Sequence, residues 1–251
     1  MTRHVLVIGA QRSGTTYLSS LLDSHPEITM AQPAKPEPKV FLSDELSARG
    51  RDWYLATYFA HATCEELLGE KSTSYLEDAG AARRAADTLG RVDVVVQLRD
   101  PVERAVSNWR FSSGHGLEVR ALDRALRENL DSPRQWDPAV TSVSPYAYLE
   151  RGRYVDYLEP WLQAFPDSVH VTFLDEVANG RNAVGQLYES LGVDPRHRPT
   201  SLVEAVNRSD GDLPSLPREL SDRLREYFRD SDTRLQQRIG RSLPWVGRSG
   251  E

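Results

Sequence analysis

His4-Val5-Leu6-Val7-Ile8 runs straight into Gly9-Ala10-Gln11-Arg12-Ser13-Gly14-Thr15-Thr16, and a helical pattern, Thr15–Asp23, begins at the end of that loop. The apolar run, closed off by glycine, reads as a buried strand. A strand, a glycine-bounded turn and a helix N-terminus bring backbone N–H groups and the positive helix end around an anion. The glycines suit a turn whose conformations a β-carbon disfavours. The spacing G-x-x-x-x-G is that of a nucleotide phosphate loop, yet Thr15-Thr16 stand where a Walker loop carries lysine and a hydroxyl residue. The cation is instead Arg12, inside the turn. Gln11, Arg12, Ser13, Gly14, Thr15 and Thr16 are therefore the candidate phosphate ligands.

Three further runs read as strands: Leu67–Lys71, Val92–Leu98 and Val169–Leu174. Val92–Leu98, VDVVVQL, lacks clean alternation, as expected of a strand buried on both faces in a parallel sheet. Helical patterns fall between and after them, at Ala79–Leu89, Pro101–Phe111, Leu149–Phe165, Ala183–Leu191 and Pro217 to about Ile239. Alternating strands and helices predict an α/β fold, a single P-loop-like domain over residues 1–251. Its central parallel sheet would be flanked by helices on both faces. Ligands of such sheets bind at the C-terminal strand ends. Two irregular, aromatic-bearing stretches, Ala31–Phe41 and Asp131–Tyr148, are long enough to be binding loops.

A second anion site is suggested where Val92–Leu98 ends in Arg99-Asp100-Pro101. Asp100 has the character of an N-cap and Pro101 sits where a first helical turn tolerates proline. Arg99 leaves the strand at its C-terminal end, and Ser107 lies about two turns into the following helix. A guanidinium offers an anion two parallel charge-assisted hydrogen bonds, though Asp100 or Glu103 would compete for it. Two anion sites at adjacent strand ends imply a nucleotide with phosphates at both ends of its ribose.

Composition narrows the partners. With 251 residues, 39% of them apolar and 27% charged, the chain is long and apolar enough to fold around a core without staples. One cysteine, Cys64, excludes an intrachain disulfide. No stretch approaches the ~20 apolar residues of a membrane span, and the expected location is cytoplasmic. A net charge of −6 speaks against nonspecific nucleic-acid or anionic-membrane binding. The six histidines show no metal-ligand spacing, and no metal is called for. Of 31 basic residues only Lys35, Lys39 and Lys71 are lysines, a bias that points to a GC-rich bacterial genome. All three lysines fall in segments assigned below to the site.

GAQRSGTTYL resembles the 5'-phosphosulfate loop of the sulfotransferases that use 3'-phosphoadenosine-5'-phosphosulfate (PAPS), and VVVQLRDPVERAVSNW resembles their 3'-phosphate motif. PAKPEPKVFL is similar to the Lys-Glu-Pro-x-Phe-Phe region of the bacterial and carbohydrate branch, which supplies the catalytic base. GEKSTSYL is similar to its Glu-Lys-Ser/Thr-x-x-Tyr segment, and Gly240-Arg-Ser-Leu243-Pro-Trp245 resembles its closing Leu-x-x-Trp, with one residue fewer between the leucine and the tryptophan. The likeness is strong over about the first 110 residues and weak beyond. Pro36 replaces a lysine common in relatives, Val40 replaces an aromatic, and the Arg-Lys-Gly segment of cytosolic relatives is absent.

The resemblance implies sulfuryl transfer from PAPS to an acceptor hydroxyl, with 3'-phosphoadenosine-5'-phosphate (PAP) released. Like phosphoryl transfer, this is in-line displacement governed by positioning and charge stabilisation. It makes Glu37 the base, with Arg12 and Lys71 as catalytic cations. Gln11 to Thr16 would hold the 5' end, and Arg99 and Ser107 the 3'-phosphate. Lys35, Lys39, Trp136 and Tyr146 are candidate acceptor contacts; Trp53, Tyr54, Tyr58, Phe59 and Tyr148 are further aromatics more often found in a core. The expected partner is a small metabolite, natural product or glycoside of secondary metabolism, and a homodimer is compatible with the sequence. The alternatives are a P-loop small-molecule kinase using ATP and magnesium, disfavoured by the missing Walker lysine, and a non-catalytic nucleotide sensor.

Overall fold

The structure, a computed structural model, describes residues 3–137, 144–199 and 214–247. From the N-terminus come β1 (Arg3–Gly9), α1 (Thr15–Asp23), β2 (Ile28–Met30), α2 (Asp44–Ser47), α3 (Gly50–Tyr58) and β3 (Leu67–Lys71). The chain continues through α4 (Ala81–Leu89), β4 (Asp93–Leu98), α5 (Pro101–Gly114), α6 (Leu122–Asp131) and α7 (Val155–Ala164). It closes with β5 (Val169–Phe173), α8 (Leu174–Asn179), α9 (Arg181–Ser190) and α10 (Arg218–Ile239). Two compact units emerge: Met1–Leu98 with Tyr157–Arg208, and Arg99–Asp156 with Ser209–Glu251. Neither unit is one continuous stretch, so no linker in the sequence marks the division.

The first unit carries a five-stranded parallel sheet in the order β2-β3-β1-β4-β5. Successive side chains of a strand face opposite ways, and β1 is apolar in both directions. Val5 and Val7 join a cluster with Leu18, Leu21 and Leu22 of α1 and Leu187, Tyr188 and Leu191 around the end of α9. On the alternate face Leu6 and Ile8 are fully buried, and His4 meets the ring of Tyr54 from α3. Both faces are thus covered by helices, as expected of an all-parallel sheet.

The second unit has its own core, formed by Val102, Ala105 and Val106 of α5, Leu122 and Leu126 of α6, and Leu220, Leu224 and Phe228 of α10. The helix expected over Leu149–Phe165 is instead a 3-10 turn, Glu150–Gly152, followed by α7. The break falls at Arg153, whose ψ of 61° leaves helical geometry; just before it, at Gly152, a β-carbon would lie 2.7 Å from the Phe228 ring and 2.9 Å from Pro101. The backbone at Gly152 passes too close to both for a side chain.

At the start of α5, Asp100 Oδ1 accepts from the Val102 N–H at 2.9 Å, the capping role its sequence suggested. Arg225 of α10 adds a bidentate pair to the same carboxylate, at 2.8 and 2.6 Å. Losing a cap costs about 1 kcal/mol, and a partly exposed charge-assisted fork adds about as much. Asp100→Ala is accordingly expected to lower unfolding stability by about 2 kcal/mol in denaturant titrations, and Asp100→Asn by less than half of that. A loss below about 0.5 kcal/mol for the alanine variant would remove this brace from the description of the unit.

Candidate active site

β1 lies between β3 and β4, so the loop at its C-terminal end is flanked by the ends of both neighbours. In register, Val7 pairs with Lys71 and Gly9 with Val96. The loop winds through two left-handed residues, Arg12 at φ 67° and Gly14 at φ 75°. Gly14 is required twice over: its φ is costly for an L side chain, and a β-carbon there would fall 2.5 Å from Leu174 and 3.1 Å from Gln97 Nε2. Gly14 also stands at the N-cap of α1 with no side chain capping the helix, and the first turn holds no acid. The leading N–H groups of α1 therefore face an open, electropositive helix end.

Gln97 braces the loop from β4. Its carbonyl accepts from the Ala10 N–H at 2.8 Å and its amide donates to the Ser13 carbonyl at 2.6 Å. Ser13 is fully buried, and its hydroxyl meets no hydrogen-bonding partner among the described residues. Gln11 donates to Ser74 Oγ at 3.2 Å, Thr15 is buried, and Arg12 and Thr16 are half-buried. An uncapped helix end, a left-handed loop and an unsatisfied buried hydroxyl fit a phosphate-sized anion, which would supply the missing acceptors.

The second cluster of this unit joins the Ala31–Phe41 stretch to the end of β3. Lys71 Nζ donates to Glu37 Oε1 at 2.5 Å. Thr73 donates its backbone N–H to Glu37 Oε2 at 3.0 Å, with its hydroxyl 3.2 Å from the same oxygen. Glu37 keeps 18% and Lys71 12% of their side-chain exposure, enough for a substrate to reach a carboxylate that is otherwise locked in place. Lys39 is half-buried and adopts a left-handed φ of 54°, and Lys35 is exposed.

Behind these groups sits Glu70, fully buried. Its carboxylate accepts from Ser72 Oγ at 2.6 Å and from the hydroxyls of Tyr75 and Tyr54 at 2.7 Å each. Burial pushes its pKa up, against the opposing pull of the three hydroxyls. Burial beside that carboxylate also pushes both tyrosines well above their ordinary value. Tyr54 and Phe59, weighed as acceptor walls from sequence, belong to this core at 1% and 5% exposure.

In the second unit, Arg99 donates two hydrogen bonds to Glu103 Oε2, at 3.1 and 2.9 Å, the competing partner the sequence offered. Tyr154 donates to the Arg99 carbonyl at 2.8 Å, and Ser107 is buried on α5. Tyr146 donates to the Leu117 carbonyl, and the Arg134 guanidinium lies 4.5 Å from its ring. Tyr148 is fully buried and donates to Glu118. Trp136 is 43% exposed. It lies near residues 138–143, part of the predicted Asp131–Tyr148 loop outside the described residues.

Of the residues gathered in these clusters, the sequence names Arg12, Glu37 and Lys71 but not Gln97, Glu70, Ser72, Thr73 or Tyr75. The signal was present for two of them: Glu70 and Gln97 are polar residues set inside otherwise apolar strands, where burial demands partners.

A five-stranded parallel sheet with a glycine loop between its central strand and first helix defines an α/β protein of the P-loop-like, anion-binding class. The chain belongs to the sulfotransferase domain family, whose model matches residues 2–206. It is 27% identical over 214 residues to the bifunctional heparan sulfate N-deacetylase/N-sulfotransferase 2 of Bos taurus, covering 84% of this chain and 22% of that protein. It is 35% identical over 109 residues to the membrane-associated sulfotransferase kil1 of Dictyostelium discoideum, covering 43% of this chain and 22% of that one. The chain thus spans about a fifth of the length of the curated relatives it matches. A sulfotransferase from Alicyclobacillus acidocaldarius shares its fold, with a TM-score of 0.77 and 23% identity over 97% of this chain and 98% of that one. Among the described residues no helix is long and apolar enough to cross a membrane.

Proposed function

We propose that this chain transfers a sulfuryl group from PAPS to an acceptor hydroxyl, with Glu37 as the base. The observation that carries the reading is the Glu37–Lys71–Thr73 cluster at the end of the strand next to the phosphate loop. Three donors fix the carboxylate and leave part of it open, which suits a group that must meet an incoming hydroxyl in one orientation.

Glu37 takes the acceptor proton as the acceptor oxygen bonds to sulfur. The bond from sulfur to the bridging phosphate oxygen breaks, and its electron pair leaves with the 5'-phosphate of PAP. Arg12, the amides at the start of α1 and the Thr15 and Thr16 hydroxyls hold the charge that gathers there. Lys71 sits on Glu37, and its ammonium, on a flexible four-carbon stem, is proposed to turn to the transferring group. Arg99 and Ser107 are assigned to the 3'-phosphate on the strength of the motif they share with the family. Glu103 must then release Arg99, or share it, when the nucleotide binds.

The acceptor is proposed to be a small metabolite, phenol or lightly charged glycoside, because a chain of net charge −6 repels polyanions. The test is transfer of labelled sulfuryl from PAPS to small alcohols, phenols and glycosides, run beside a de-N-sulfated heparan polymer. Transfer to one or more of the small acceptors supports the proposal. Rapid transfer to the polymer, with none to the small acceptors, would hand the acceptor assignment to the polysaccharide named for the mammalian relatives.

A further inference from the structure

The segment Glu70–Tyr75 grips the Glu37 loop in two ways. Lys71 and Thr73 hold the Glu37 carboxylate itself. Ser72 and Tyr75 hold the backbone just beyond it: Lys39 donates its N–H to Ser72 Oγ at 3.0 Å, and Phe41 donates its N–H to Tyr75 Oη at 3.1 Å. Each hydroxyl has a single proton to give, and both give it to Glu70 Oε1. With those protons committed, the lone pairs of both oxygens are left for the loop, and both accept from a loop amide. The Phe41 ring, fully buried, is set 5.4 Å from the Tyr75 ring and 5.7 Å from that of Tyr54, the third donor to Glu70.

Building on the assignment of Glu37 as the base, we propose that Glu70 is a positioning residue for it. By fixing the proton direction of the Ser72 and Tyr75 hydroxyls, Glu70 makes both of them acceptors for the loop that presents Glu37 to the acceptor hydroxyl. A buried carboxylate suits this task because it is acceptor-only when ionised. A methionine of about the same volume accepts no hydroxyl proton, so the Ser72 and Tyr75 hydroxyls become free to turn. A carboxylate buried at this depth is costly without such a cluster of donors, which is why it is a poor filler for a strand interior.

Tyr75→Phe removes one hydroxyl and keeps the ring; Glu70→Met keeps the volume and removes the acceptor for both hydroxyls. PAP formation from labelled PAPS is followed with 2-naphthol as probe acceptor and water as the default one. Both variants are expected to lower the maximal rate roughly tenfold to a hundredfold while the PAPS KM and PAP affinity stay within about twofold. In a Glu37→Gln background the same changes are expected to cost nothing further, because a residue acting through the base has no effect once the base is gone. Hydrogen exchange gives a readout independent of turnover: the Lys39 and Phe41 amides should exchange faster in both variants while those of β3 remain protected. An unchanged rate in the single variants, an equal loss in both backgrounds, or unchanged exchange at Lys39 and Phe41 overturns the proposal. If Glu37→Gln by itself leaves PAP formation intact, it is the base assignment that falls, and amide exchange still decides whether Glu70 holds the loop.

Discussion

Glu37→Gln is expected to lower PAP formation by about a hundredfold to ten-thousandfold, the range of general-base catalysis, with PAP affinity unchanged within about twofold. Glutamine keeps the length and an oxygen toward Lys71 Nζ, now 2.5 Å from the carboxylate, and gives up the acceptor for the Thr73 N–H; the bonds from Lys39 N–H to Ser72 and from Phe41 N–H to Tyr75 do not involve Glu37 and should keep the loop in place. What it loses is the ability to accept a proton. The phosphate loop is built by other residues, from Gly9 to Thr16, and is braced by hydrogen bonds to Gln97 and Ser74. Catalysis and nucleotide affinity should therefore separate cleanly. A variant that bound PAP and turned over at the parent rate would remove Glu37 from the chemistry; one that lost both together would make it a scaffold residue of the nucleotide site.

Gly14→Val should act on the opposite half of that split. A β-branched residue at φ 75° is an outlier costing of order 1–3 kcal/mol. Its first side-chain carbon would meet Leu174 and the Gln97 amide at 2.5 and 3.1 Å. The loop can relieve this only by rewinding, which turns the leading amides of α1 away from the anion. Two lost hydrogen bonds to a charged phosphate, at about 1.5–3 kcal/mol each, correspond to about a hundredfold or more in PAP affinity. Thermal unfolding and PAP titration check this together. Adding Leu174→Ala removes the nearest clash but not the left-handed strain, so affinity should stay low. Recovery of PAP binding in the double variant would show that crowding alone, and not backbone geometry, makes glycine necessary.

Much of the first unit could be read in advance because its physics is local. The runs that became β1, β3, β4 and β5 are apolar, short and punctuated, and their observed ends lie within one residue of the expected ones. Asp100-Pro101 announced the start of α5 through capping chemistry that needs no tertiary partner. The three residues of β2 are too few to show any periodicity, and only pairing with β3 makes them a strand. α3 begins at a glycine without a side-chain cap, and its aromatics pass equally for core or ligand walls until Tyr54 is seen bonded to Glu70. α6 did carry a signal, with Leu122, Ala125 and Leu126 at helical spacing, and went unread. The need for glycine at position 152 comes from Phe228, 76 positions along the chain, and no local pattern reports it.

The site divides along the same line. Arg12 and Gly14 were legible from the loop itself, and Glu37 and Lys71 only from the likeness of their segments to a family. The hydroxyls of Ser72, Thr73 and Tyr75 were invisible as functional groups, because serine, threonine and tyrosine say nothing in sequence about whether they face a carboxylate. Their roles arise when β3 delivers Glu70 to the interior and Lys71 to the site in successive residues, a consequence of the two-residue period of a strand.

The most direct test of the proposed use of PAPS is calorimetric titration with PAP, beside ATP and AMP, in the absence of metal. Binding of PAP at about micromolar Kd, with AMP and ATP at least about tenfold weaker, is the expected result. Failure of PAP to bind, with ATP binding once magnesium is added, would contradict the sulfotransferase reading and put a kinase in its place.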